Sequence, residues 1–87
     1  MYRLDETNAE GRVINSHLIE NKAIKYRLSR EFSIEDDQID LALHITNAAP
    51  GNIFDLTRID YHDNGRDVLV WSARLQLVPN SHALPVR

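Results

Sequence analysis

The dipeptide Asn64-Gly65 constrains this chain more than any other feature, because it separates two stretches of strand-forming residues, IFDLTRIDYH (53–62) and DVLVWSARLQLV (67–78). A type I′ turn needs positive φ at both loop residues, which Asn and Gly tolerate best, so the second half of the chain reads as a β-hairpin. A two-residue loop then fixes the register. One face pairs Phe54 with Leu75, Leu56 with Ala73 and Arg58 with Trp71. The other pairs Tyr61 with Val68, Ile59 with Val70, Thr57 with Ser72 and Asp55 with Arg74. A three-residue loop with a glycine bulge would shift this by one and oppose Thr57 to Trp71 and Asp55 to Ala73, a poorer match.

In this register the apolar residues change sides along the ribbon. Phe54, Leu56, Ala73, Leu75 and Leu77 share one face near the base, and Ile59, Tyr61, Val68 and Val70 share the opposite face near the tip. A single covering layer leaves one of these patches open. Ile59, Tyr61, Val68 and Val70 are therefore the candidate partner-binding residues, with Tyr61 as an aromatic anchor carrying a polar hydroxyl.

Residues 12–48 fit two templates. As helices, Val13, Ile14, His17, Leu18, Ile24, Leu28 and Phe32 fall on one stripe, and Ser33 with Asp36 resembles a capping arrangement opening a second helix that ends at Ala48-Ala49-Pro50-Gly51. As strands, Ile24, Tyr26, Leu28, Phe32 and Ile34, then Ile39, Leu41, Leu43 and Ile45, alternate. Helices are favoured, because EDDQ lacks the Gly or Pro of a hairpin turn and suits the positive end of a helix dipole. The expected fold is α+β, with two N-terminal helices packed on a C-terminal antiparallel hairpin; a mainly antiparallel β meander is the alternative.

At 87 residues the chain has room for one domain, residues 1–87, and one core. There is no cysteine to form a disulfide or thiolate metal staple, which makes a second copy a reasonable partner. The start MYRLDETNAE has no apolar signal region and VLVW is the longest apolar run, so neither secretion nor a membrane span is expected and a cytoplasmic location follows.

A net charge of -3 gives no overall attraction to phosphate, but charge is segregated: KAIKYRLSR (22–30) is basic and EFSIEDDQID (31–40) is acidic. Lys22, Lys25, Tyr26, Arg27 and Arg30 are the candidate nucleic-acid contacts. The simpler reading makes them a solvated helix side that pairs with the acidic start of the next helix. Two helices and a hairpin resemble winged-helix domains in architecture only, and the helix that would enter DNA begins IEDDQID, bringing four carboxylates toward the phosphates.

Around the hairpin turn, Asp60, His62 and Asp67 are candidate metal ligands or an acid-base set. The simpler reading keeps them as solvated residues flanking the turn. His17, His44 and His82 have no HxxxH or HExxH spacing, no serine stands in a GxSxG elbow, and the three glycines make no phosphate loop. No cofactor and no catalytic residue is expected. The function class left is a small non-enzymatic regulator or inhibitor of the immunity, antitoxin or phage-inhibitor type that occludes a partner protein. A nucleic-acid-binding regulator and a small metal-assisted or acid-base enzyme are the alternatives.

Overall fold

The computed structural model describes residues 1–79, and the side chains of Tyr61, His62, Asp67, Val68 and Leu69 lie outside that description. The chain forms strands β1 (Tyr2–Thr7) and β2 (Val13–Ile19), then a 3-10 turn (Asn21–Ala23), the single turn α1 (Ile24–Tyr26) and a π-helical turn (Arg27–Glu31). Helix α2 (Asp36–Ala48) and the long strands β3 (Ile53–Asp63) and β4 (Arg66–Leu77) follow. The strands make one antiparallel sheet in the order β2-β1-β4-β3. Among the described residues no helix is long and apolar enough to cross a membrane.

The hairpin β3–β4 has the expected register from Ile53↔Gln76 to Ile59↔Val70, and Asn64 and Gly65 both adopt positive φ. An irregularity on either side of Tyr61 then sets that residue against Leu69 rather than the expected Val68. Asp63↔Arg66 closes the turn.

The expectation of two N-terminal helices on a C-terminal hairpin is overturned, because the N-terminal part is strands. β1 lies inside the sheet, paired with β2 on one side and with β4 on the other. Its Tyr2 and Leu4 point into the core while Arg3 points away, the alternation of a half-buried strand. Between β1 and β2 the Asn8 side chain accepts hydrogen bonds from the Glu10 and Arg12 amides, and Gly11, at φ 83°, completes the turn. Val13, Ile14, His17 and Leu18 thus belong to a strand, and the helical stripe expected to unite them with Ile24, Leu28 and Phe32 is broken at the extended Glu20. The meander alternative fails as well: residues 24–31 and 39–45, which it required as strands, are helical.

Helix α2 buries Ile39, Ala42 and Thr46 at helical spacing, with Asp36 and Asp37 in its first turn. Its N-cap residue is Glu35, and no side-chain cap forms; Ser33 instead sits in the left-handed region at φ 55°, ending the irregular helix. The core lies between this helical layer and one face of the sheet, with Leu4, Leu28, Ala42, Leu56 and Leu75 fully enclosed. Asn47 donates to the Tyr2 hydroxyl at 2.8 Å, which ties α2 to the central strand.

Candidate functional site

Two regions depart from what a minimal two-layer core requires. The first is the free length of the hairpin. β1 pairs with β4 only from Ser72 to Leu77, so β4 before Ser72 and its partner residues on β3 form a two-stranded arm extending roughly 20 Å past the four-stranded body. The radius of gyration is 14.1 Å, against about 12 Å for a compact chain of this length, as such an extension demands. Ile59 and Val70 face each other at the root of the arm, on the side away from the helices, and are 42% and 50% exposed.

Each of the pair borders an open concavity. Val70 lines one of about 600 Å³ with Thr7, Gly11, Asp55, Ser72 and Arg74, and Ile59 lines one of about 550 Å³ with Ser33, Glu35, Gln38, Thr57 and Arg58. The candidate residues Tyr61 and Val68 continue this strand pair, but their side chains lie outside the described residues.

The second region is a cluster on the helix-facing side where the arm leaves the body. The Glu6 carboxylate accepts hydrogen bonds from Trp71 Nε1 at 3.1 Å and Asn15 Nδ2 at 2.9 Å, and His17 Nε2 approaches it at 3.7 Å, too far for a hydrogen bond. Burial acts to raise the Glu6 carboxyl, but the Asn15 and Trp71 bonds and the neighbouring imidazole outweigh it and hold the group below the usual glutamate range. The Phe32 ring lies between His17, met edge-on at 5.2 Å, and Trp71 at 5.8 Å. The Arg58 guanidinium stacks over Trp71 at 4.7 Å and donates to the Phe32 carbonyl.

Although Glu6 and His17 are types that catalyse proton transfer, His17 Nε2 is buried, faces Glu6 and has no hydrogen-bond partner among the described residues. Neither residue opens onto the two concavities above. The cluster therefore acts as a buttress, fixing the root of the arm against β1, β2 and Phe32.

The other sequence candidates are dispersed. Asp60 is bound by Arg58 through both carboxylate oxygens, at 2.5 and 3.1 Å, which lowers its pKa and commits it away from the turn. His62 and Asp67 do pair across the strands, but their side chains lie outside the description, and no cluster suited to a metal ion occurs among the described residues. In the basic segment, Lys22 pairs with Glu20 and Arg27 with Glu31, so the expected pairing with the acidic start of α2 is replaced by local contacts. Arg27 also covers the Phe32 ring, while Lys25, Tyr26 and Arg30 are exposed.

The hairpin register alone pairs Arg58 with Trp71, whereas Glu6, Asn15 and Phe32 join them only through the fold. The alternation in YRLDET followed by the turn-forming NAEG was the available signal for β1. These elements define a two-layer α+β domain with a projecting β-arm. Comparison of the chain with protein-family models, curated proteins and solved structures finds no significant match.

Proposed function

We propose that the chain is a small protein-binding regulator or inhibitor, of the immunity, antitoxin or phage-inhibitor kind, that works in the cytoplasm by occluding a partner protein rather than by catalysis. The observation that carries this reading is the arm. A two-stranded ribbon is marginal by itself in water, and a protein gains little from extending one unless something else covers it. Here the root is buttressed by a carboxylate, an indole and a guanidinium, while the apolar pair Ile59 and Val70 on the other side stays open. A rigid support beneath an exposed apolar face reduces the ordering cost of association, which favours recognition. Tyr61 and Val68, which the irregularity takes out of register with each other, are the further contact residues of this proposal.

The test immobilises the chain and exposes it to soluble extract of its native host. A protein retained by the wild type and lost on joint substitution Ile59→Asp and Val70→Asp, with unchanged thermal unfolding, supports the arm as the contact surface. Retention insensitive to this change and to Tyr61→Ala defeats the proposal.

A further inference from the structure

The two edges of the sheet are treated differently, and the difference points to a second partner surface. At the β3 edge the Thr57 amide and carbonyl turn away from β4, and the Gln38 side chain from α2 meets both: Thr57 N donates to Gln38 Oε1 at 2.8 Å and Gln38 Nε2 donates to Thr57 O at 3.0 Å. The side-chain amide thus occupies the place of a neighbouring strand. At the β2 edge nothing comparable occurs among the described residues. Its sequence, VINSHLI, contains no Lys, Arg, Asp, Glu or Pro, the residues by which edge strands usually resist pairing. Val13, Ile14 and Leu18 are 48%, 57% and 61% exposed.

We infer that β2 pairs with β2 of a second copy of this chain, antiparallel about a two-fold axis through Ser16, to give a continuous eight-stranded sheet. The occupant follows from the strand itself. This register sets the exposed Ile14 against the exposed Leu18 and Asn15 against His17, while Val13 falls opposite Ile19, whose side chain stays in its own core. The apolar match therefore lies on the side away from the helices, where Ser16 and Leu18 project and where the irregularity opposite Thr7 leaves Ile14 as the extra residue of its strand. Each chain carries a net charge of -3, yet the seam holds no formal charge to oppose its symmetry mate. A two-fold pairing of β2 with itself is closed and uses up that edge in both chains, and Gln38 interrupts the β3 edge at Thr57, which opposes growth into a filament. The axis stands perpendicular to the sheet, so both helical layers share one face and the two hairpin arms point in opposite directions. This surface is separate from the arm, and either assignment can fail alone.

Sedimentation equilibrium over a wide range of protein concentration tests the inference, with Ile14→Glu/Leu18→Glu and Ile14→Lys/Leu18→Lys as double variants. The wild type forms a dimer whose population rises with concentration, and the amides of 13–19 exchange more slowly as it does. Each double variant folds, by circular dichroism, and is monomeric, because like charges meet across the axis. Mixed in equal amounts, the two variants form a heterodimer, since each carboxylate then faces an ammonium. A wild type that stays monomeric throughout would leave the edge to an extended segment of another protein and overturn the inference. So would a glutamate variant that remains dimeric, or two folded variants that fail to associate on mixing.

Discussion

Replacing Gln38 by Met removes the two hydrogen bonds to Thr57 while preserving side-chain length and helix propensity, so it isolates the closure of the β3 edge. A net intramolecular hydrogen bond contributes about 0.5–1.5 kcal/mol, which gives about 1–3 kcal/mol for the pair. Both bonds are solvent-exposed, and water replaces part of what is lost, so the lower half of that range, about 1–2 kcal/mol, is expected. For a domain of this size each kcal/mol moves the melting temperature by about 4–8 °C, well within calorimetric precision. Hydrogen exchange supplies the local readout: the Thr57 amide should exchange faster in the variant while amides of β1, bonded on both sides, change only by the global loss. Gln38→Glu separates the two bonds, since a carboxylate still accepts from Thr57 N but meets Thr57 O with no donor. The opened edge should also raise association at high concentration. If Gln38→Met left stability within about 0.5 kcal/mol and Thr57 exchange unchanged, the edge-closing role would be wrong.

Three further outcomes test other links in the chain of reasoning. Ser33→Gly should stabilise the fold by about 0.5–1 kcal/mol, read as a rise in melting temperature, because a left-handed backbone costs a residue with a Cβ more than it costs glycine. The Glu6 pKa is depressed below 4.5 in the folded state, so its contribution is present above that value and is lost as pH falls through the folded value. Glu6→Gln should accordingly be less stable at neutral pH, with the gap to wild type closing in acid; a gap independent of pH would show that charge is not what the cluster uses. Ile39→Ala should cost about 2–5 kcal/mol in denaturant unfolding, and Leu41→Ala, half-exposed on the same helix, about 0.5 kcal/mol or less; equal effects would contradict the helical burial pattern.

Local signals were legible wherever the backbone itself is constrained. Asn64-Gly65 announced its turn and the register up to Ile59 because Asn and Gly tolerate positive φ better than other residues do. The acidic first turn of α2 and its end near Pro50-Gly51 were readable for similar reasons, within the i, i+4 reach of a helix. Val13–Ile19 misled because Val13, Ile14 and Leu18 mark an exposed edge rather than a core face, so their spacing matched a helix by coincidence. Glu6 was invisible as a functional group, being one of thirteen acidic residues until the fold set it beneath Trp71.

The sequence by itself determined the hairpin, its pairing from Ile53 to Ile59 and the central helix, since these depend on turn chemistry and near-neighbour periodicity. Only the tertiary structure decided that β1 enters between β2 and β4, that the hairpin therefore outgrows the sheet as an arm, and that one edge is closed by Gln38 while the other stands open. The physical reason is separation along the chain: Tyr2↔Leu77 and Glu6↔Trp71 contacts gain their energy only after the intervening loops are closed, and no local pattern encodes that reward.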